Sequence, residues 1–371
     1  MVRRNIERPY SLLEIYVIST VWLWVCYHPP QNMPPRNLVD SLDIRLIIAD
    51  GDFDGLVAAA VLKTAWPEAS VIFSHPSEIR SGGFEELINS KTAICDLPFH
   101  PNCGLYIDHH ATNKPTEEQE KTFIDNGGHI HWREADSAAR VAYDLFLPLF
   151  DLSALTPIMY MVDRLDGGRI SKDEFLSDDA TIWLARTITS SDQQYTTNIL
   201  NKLVNGESVL DIVNNSEVTE KINNKKEEMK EIRTILNSKS RIENRLAICE
   251  LQETGLYTNG YLVTAHYGDD CDACLIIHGS QNEKMGDDNR SLSASFYTNS
   301  FLHRNGGLFD LTKLATMFDP YGGGHRNACG CKIVSLDGEG CVEERAPTTG
   351  DIAANLSAWL MAWNQSQSTN N

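Results

Sequence analysis

The sequence predicts an α/β protein in two unequal parts: a parallel-sheet domain with helices on both faces, then a linker helix and a smaller α/β domain. Three observations carry this. From Ile44 onward, short apolar runs alternate with longer helical ones, the rhythm of a parallel sheet with crossover helices. A Glu-, Lys- and Asn-rich stretch, 207–240, then carries apolar residues at helical spacing, as an amphipathic linker helix does. The length of 371 residues is comfortable for two cores and long for one.

The elements follow in order. Arg3 and Arg4 precede an apolar run, Tyr10–Cys26, which is short for a membrane span of about 20 residues and has no small-residue cleavage site. Residues 1–36 are expected to be a leader without function, with Met33 an alternative start. Arg45–Ala49 reads as a buried strand and Gly55–Trp66 as the helix after it. Val71–Ser74, Thr92–Cys95 and Gly104–Ile107 read as further strands, with a short helix at Glu85–Ser90. Helices are expected over Ala138–Leu147, Ala154–Val162 and Asp179–Ile188. Residues 37–206 thus form the first domain and 207–242 the linker, with apolar positions Ile222, Met229, Ile232 and Leu236. Strands at Arg245–Leu251, Gly260–Ala265, Ala273–His278 and Leu292–Phe296 are expected in the second domain, 243–364, ahead of a polar, disordered tail, 365–371.

Charge narrows the function. The chain holds 51 acidic and 32 basic residues, a net charge of −19, opposite to the basic surface that grips long nucleic acid. Either the substrate is small or bound cations offset a local excess of carboxylates. Nine cysteines do not make a disulfide scaffold at this length. Cys271 with Cys274 and Cys329 with Cys331 would form a zinc site only if the fold joined the pairs; reduced thiols are the expected state. A cytoplasmic location follows from the same reading.

Three expected strands end on carboxylates. The first runs into Asp50, Asp52 and Asp54, the third ends on Asp96, and the fourth on Asp108, followed by His109 and His110. Open α/β sheets bind ligands beyond the carboxyl ends of their strands, and neighbouring strands about 4.8 Å apart would bring these side chains together. Asp50, Asp52 and Asp54 share one side if their segment is extended. Carboxylates gathered this closely raise one another's pKa values unless cations hold them, and oxygen ligands with an imidazole or two favour manganese or magnesium. Gly55 permits a tight turn into a helix whose N-terminus suits an anion. A single Asp-x-Asp-Gly is common in turns, and one Asp at a strand end can simply cap a helix; their recurrence at successive strand ends argues for metal.

The segments Asp52-Phe53-Asp54-Gly55, Asp96-Leu97-Pro98 and Asp108-His109-His110, with the glycine-rich Tyr321–Gly330, resemble the DHH phosphoesterase superfamily and its associated C-terminal domain. That superfamily includes RecJ-like exonucleases, NrnA-type oligoribonucleases, cyclic-dinucleotide phosphodiesterases and family II pyrophosphatases. The resemblance spans roughly Ile44 to Leu360. It implies two manganese ions, with magnesium the alternative, on Asp52 and Asp54, bridged by Asp96 and ligated by His109. Asp108 would ligate or orient the site, and His110 would contact the scissile phosphate. A further aspartate is expected from helix 154–162 or just beyond: Asp166, since Asp166-Gly-Gly-Arg-Ile is similar to the Asp-Thr-Gly-Arg-Phe of the oligoribonuclease branch, or else Asp163. Where the family often has a histidine, four residues before Asp52, this chain has Ile48; Asp50 is the substitute ligand considered. Gly322, Gly323, Gly324, His325, Arg326 and Asn327 are expected to bind substrate phosphate, partly through backbone N–H groups. Arg290 is a weaker candidate for the far end of a nucleotide, as are His303 and Arg304. Ser293-Ala294-Ser295-Phe296 lacks the arginine of the oligoribonuclease branch.

The implied function is hydrolysis of phosphate esters in short oligonucleotides or nucleotides, including 3′-phosphoadenosine 5′-phosphate. An exopolyphosphatase- or pyrophosphatase-like hydrolase is the alternative, and a non-catalytic nucleotide sensor a third reading. No long-duplex or membrane partner is expected, and the layout is compatible with a homodimer.

Overall fold

The computed structural model describes residues 35–280, 291–304 and 306–369. The leader 1–34 and Arg290 lie outside the described residues. The chain divides into two compact units, Met1–Ser41 and Leu42–Asn371. The described part of the first is a helix, Pro35–Ser41. No helix among the described residues is long and apolar enough to cross a membrane.

The second unit contains two main sheets. The first has strands β1 (Leu46–Asp50), β2 (Ser70–Ser74), β3 (Thr92–Cys95), β4 (Leu105–Asp108) and β5 (His129–Trp132) in the order β2-β1-β3-β4-β5. All four pairings are parallel. Chain order reverses beside β1, because β2 lies on one side and β3 on the other. Such a switch point opens a crevice at the strand ends, and here those ends are Asp50 and Asp96.

The helix Phe53–Ala65 leaves β1 through this crevice. Asp52 caps it by accepting the Gly55 N–H at 2.9 Å. Ten consecutive residues, Phe53 to Leu62, are buried, so the helix is a core element packed on all sides. That explains its alanine-rich composition, which allows close approach. At Gly55 the requirement is absolute: a Cβ there would sit 2.3 Å from the Asp50 carbonyl oxygen.

The second sheet has strands β6 (Ser240–Glu243), β7 (Leu246–Glu250), β8 (Ala273–His278), β9 (Ser293–Thr298), β10 (Gly323–His325) and β11 (Ala328–Lys332), in the order β10-β11-β9-β8-β7-β6. Only β7 and β8 pair in parallel. One face packs on the terminal helix Thr349–Thr369 through Trp359 and Trp363. The other packs on Leu262 and Val263 and on Ile232 and Leu236 of the 24-residue helix Ser216–Lys239.

Several expectations need correction. Gly260–Ala265 is a helix, Gly260–Tyr267, not a strand; a short apolar run sealed between two layers has no periodicity to tell them apart. The expected helix Glu85–Ser90 is a series of turns, and the helix there is Pro76–Arg80, with Pro76 in its first turn and Gly82 at φ +76° after it. The helix placed at Ala154–Val162 runs from Thr156 to Asp166. Residues 365–369, expected to be disordered, continue the terminal helix. The strand His129–Trp132 and the helix Glu117–Asp125 were not expected: β5 is a half-buried edge strand of mixed polarity.

The cysteine pairs occupy different layers. Cys271 and Cys274 belong to the cluster under the Ser216–Lys239 helix, Cys329 and Cys331 to the cluster under the terminal helix. The sheet separates them, so no four-thiolate site forms, and burial raises all four thiol pKa values.

Replacing Gly55 by Ala is expected to cost about 1–3 kcal/mol in urea unfolding, the range for a forced overpacking. Gly338→Ala, where nothing lies within 4 Å, should change stability by less than about 0.5 kcal/mol.

Candidate metal centre

The strand-end residues meet in one place. His109 Nε2 lies 3.5 Å from Asp54 Oδ2, 3.6 Å from Asp96 Oδ1 and 3.3 Å from Asp166 Oδ2. Asp50, Asp52 and Asp96 offer oxygens within 4.8 Å of one another, as do the ligand atoms of Asp54, His109 and Asp166. The segment 50–54 is not extended: β1 stops at Asp50 and a helix starts at Phe53. Convergence comes instead from the cap at Asp52 and the first turn at Asp54. Asp54 is also held from outside, accepting the Ala138 and Ala139 N–H groups at 2.7 and 2.8 Å at the start of helix Ala138–Phe146. Asp96 follows β3 with φ +59°, a conformation non-glycine residues rarely adopt outside sites that require it.

The two aspartates of the Thr156–Asp166 helix differ in place. Asp163 accepts from Arg140 Nη2 at 2.6 Å and from Ser137 Oγ at 2.8 Å. Asp166, one turn nearer the helix end, faces His109 and lies 3.4 Å from His325 Nε2.

The DHH segment is braced from behind. Asp108 is fully buried; its Oδ1 lies 2.9 Å from His110 Nδ1, and its Oδ2 accepts from Tyr106 Oη at 2.8 Å. Asp108 thus links the buried Tyr106 hydroxyl to the Nδ1 side of the His110 ring. Trp132 Nε1 donates to the His110 carbonyl at 2.9 Å. His109 Nδ1 lies 3.1 Å from the Ala135 carbonyl oxygen. That acceptor requires the proton on Nδ1, so the neutral ring, the form that binds a cation, would present its Nε2 lone pair to the carboxylates, as in metal-ligating histidines.

The donor set fits a divalent cation. Asp96 Oδ1, His109 Nε2, Asp166 Oδ2 and His325 Nε2 are buried without a hydrogen-bond partner, a costly condition unless another group completes it. Electrostatics say the same. Burial raises Asp50, Asp54 and Asp96 well above the ordinary carboxylate range, and the neighbouring carboxylates add to it. The enclosure of the site and the charge of Asp166 raise Asp52 as well. Burial would lower His109, but Asp166, then Asp54 and Asp108, lift it to about 9. Burial also opposes ionisation of Asp166, but His109, His325 and His110 outweigh it and hold its carboxyl low.

Gly323–His325 of the glycine-rich segment is an edge strand, and Gly323, Gly324, His325 and Asn327 line the main cavity. The Gly324 N–H goes to Thr112 Oγ1 and the Gly322 N–H to the Asp319 carbonyl. What the segment contributes is His325, stacked on His110 with centroids 3.9 Å apart and planes at 25°. Arg326 is exposed and outside the cavity lining, while Asn327 Oδ1 accepts the Gly307 N–H at 2.9 Å. His303 and Arg304 line the cavity, and His303 Nε2 is 2.9 Å from Asp272. Ile48, at the position of the family histidine, is fully buried in the β1 core and faces Ile79, Ile88 and Ile94.

Three residues escaped the sequence reading. Arg80 donates to the Tyr321 carbonyl at 2.6 Å and to Asn113 Oδ1 at 2.8 Å, tying the second sheet's edge to the DHH loop. Thr112 donates to the Gly324 carbonyl at 2.9 Å. Their partners at Tyr321 and Gly324 lie more than 200 residues away, which no local pattern reveals. His75, beyond β2 and 2.5 Å from Ser190 Oγ and 3.8 Å from Asp50, could have been found by the strand-end rule. A cavity of about 920 Å³ opens over the centre, lined by Asp50, Asp52, Asp166, His75, His110 and His325 from one side and by Tyr257, Tyr297 and Arg304 from the other.

No family model matches the sequence. No curated protein matches it either. Among solved structures it is similar to the pGpG-specific phosphodiesterase PggH from Vibrio cholerae, at 20% identity and TM-score 0.57, over 87% of this chain and 99% of that one. It is also similar to the exonuclease RecJ bound to manganese, at 12% identity and TM-score 0.47, over 90% and 95% of the two chains.

Asp166→Asn is expected to weaken manganese binding by more than the 10–100-fold that hydrogen-bond partners of ligands carry, read by calorimetry. Asp163→Asn should spare metal binding and cost about 1.5–3 kcal/mol of stability, the worth of a hydrogen bond to a charged group. In EDTA above about pH 7, where His110, His129 and His131 are deprotonated in both states, the raised pKa values of the buried carboxylates and of His109 mean that the folded state binds more protons than the unfolded one. Its melting temperature should therefore fall as pH rises, with the His109 share lost between about 6.5 and about 9. Saturating manganese should flatten that slope, because cations bind the deprotonated ligands; the same slope in both conditions would count against a metal centre. Carboxylates at successive strand ends, a switch point between β1 and β3, and a second mixed sheet beside them are built on a fold that this chain shares with the pGpG-specific phosphodiesterase PggH.

Proposed function

We propose that this protein is a metal-dependent phosphoesterase that hydrolyses phosphate esters of short oligonucleotides or nucleotides, using two divalent cations, manganese or magnesium. The observation that carries the reading is the convergence of four buried, unpartnered donor atoms, on Asp96, His109, Asp166 and His325. Asp52, Asp54 and Asp96 would hold the cations together with His109 and Asp166, and Asp50 borders the same cluster. Divalent cations there would supply an acidified water and offset charge on phosphate oxygens.

The chain's own groups do the rest. Asp108, fixed by Tyr106, holds His110 through Nδ1 and leaves Nε2 turned to the substrate; with both ring nitrogens protonated, Nε2 would donate to a non-bridging phosphate oxygen, where donation gains strength as charge develops. His325 stacks on that ring and limits its rotation. The net charge of −19 and a cavity of about 920 Å³, within the ordinary range for small-molecule sites, favour a short substrate. PggH, whose fold this chain shares, acts on pGpG, a substrate of that size.

The test is hydrolysis with manganese of an RNA dinucleotide, a pentanucleotide, 3′-phosphoadenosine 5′-phosphate, pyrophosphate and polyphosphate. Turnover of a nucleotide substrate is expected, reduced at least about 100-fold in Asp108→Ala, the lower limit for loss of a positioned proton donor. Cleavage of polyphosphate alone would replace the proposal with a phosphoanhydride hydrolase. Manganese binding without any turnover would favour a nucleotide sensor.

A further inference from the structure

Arg186 stands apart from the other arginines. It lines the main cavity and also an adjoining pocket of about 170 Å³. The other walls of that pocket include Asp52, Asp54 and Asp166 on one side and Phe175, Asn259 and Tyr261 on the other. A half-buried guanidinium thus shares a small space with the candidate metal carboxylates.

Its position is fixed. Nη2 donates to the Phe175 carbonyl, and the guanidinium lies 4.5 Å from the Phe175 ring centroid and 4.3 Å from that of Trp183. Phe175 itself stacks on Tyr261 at 5.0 Å, and Tyr261 Oη donates to the Leu165 carbonyl at 2.8 Å. Two aromatic faces and one carbonyl therefore immobilise the fork before any ligand arrives.

Its charge is not answered. Nη1 is buried with no hydrogen-bond partner, and no carboxylate lies within ion-pair distance of it among the described residues. Its electrostatic surroundings include Arg233 as well as Asp178. Asp178 is engaged by Lys226 at 3.2 Å, and Lys225 of the same helix lines the main cavity. Lys225 is itself paired with Glu228 at 2.6 Å, so in a chain with 51 acidic and 32 basic residues Arg186 is left without a carboxylate of its own. Burial and Arg233 lower the Arg186 pKa to about 10, which leaves it protonated at neutral pH. A buried, uncompensated charge is costly, and a rigid guanidinium fork matches the geometry of phosphate oxygens.

We propose that Arg186 anchors a second, non-scissile phosphate of the substrate, making the 170 Å³ pocket between Arg186 and Asp166 a terminal-phosphate subsite. This rests on the phosphoesterase reading and adds to it a preference for substrates carrying two phosphates. The cations draw one phosphate to the aspartates, and Arg186, whose counter-ion the fold does not supply, takes the other.

The test is equilibrium binding by the full chain with manganese, read by calorimetry. The ligands are dinucleotides whose bridging phosphate is replaced by a methylene phosphonate, so that binding is measured whether or not the protein is a hydrolase. Three are compared: one with a 5′-terminal phosphate, one with a 3′-terminal phosphate and one with neither. One of the phosphorylated ligands is expected to bind about 10-fold more tightly than the ligand lacking both, the share of one charge-assisted contact. In Arg186→Gln that preference should fall to within about 2-fold, and in Arg186→Lys, which keeps the charge, part of it should return. Equal binding of all three ligands by the native protein overturns the proposal, and so does a preference that survives in Arg186→Gln. Absence of hydrolysis on natural substrates alongside this binding pattern would remove the catalytic reading and keep the anchor.

Discussion

The structure depends on one electrostatic constraint: Asp54, Asp96 and Asp166 are gathered around a buried His109, and Asp50 and Asp52 adjoin Asp96 at the mouth of the same site. Left alone, such a group repels itself: burial drives up the pKa values of Asp54 and Asp96, with Asp166 adding to the first and Asp54 to the second. The surrounding fold reads as a frame that holds the group in place. Asp54 is pinned by two backbone amides of a following helix, Asp96 sits in a left-handed conformation at the end of a buried strand, and Asp166 closes a helix two crossings later. Each device spends local stability to hold an oxygen where a cation can use it, which is where folded proteins tend to break local rules.

A second constraint joins the two sheets. The edge strand Gly323–His325 reaches across to the DHH loop, where Thr112 and Arg80 bind its backbone. This placement stacks His325 on His110 and completes the ring of donors around Asp166. The glycines serve this approach: a Cβ on Gly322 would fall 2.2 Å from the Ala315 carbonyl oxygen and one on Gly324 would fall 2.7 Å from that of Ala328. The glycine-rich signature therefore works through close backbone packing that delivers a histidine. The centre is a property of both sheets together.

The cavity above the centre divides the work by charge. Its floor is acidic and suited to cations, whereas Arg186 and Arg304 line its sides and Lys225 is paired there with Glu228. On the proposed function, a phosphate compound entering it would meet cations at the floor and guanidinium groups at the wall, and a net charge of −19 would disfavour long polyanions.

Much of this was legible in the sequence, for identifiable reasons. The β-strand rhythm around Leu46–Asp50 and Thr92–Cys95 is written in period and hydrophobicity, and carboxylates at strand ends are local features, so the first sheet and Asp52, Asp54, Asp96, Asp108 and His109 could be singled out directly. Short apolar runs such as Gly260–Ala265 carry no period that distinguishes a helix from a strand, and there the reading failed. The choice between Asp163 and Asp166 turned on which side of a helix meets Arg140 and which meets His109, a matter of helix rotation against its neighbours. Arg80 and Thr112 act through partners brought close only by the packing of one layer on another. Composition and local pattern determined the elements and the acidic chemistry of this protein. Which histidines, which aspartate and which arginine complete its centre was decided by the tertiary structure, because contacts made by the packing of separate elements have no local signature.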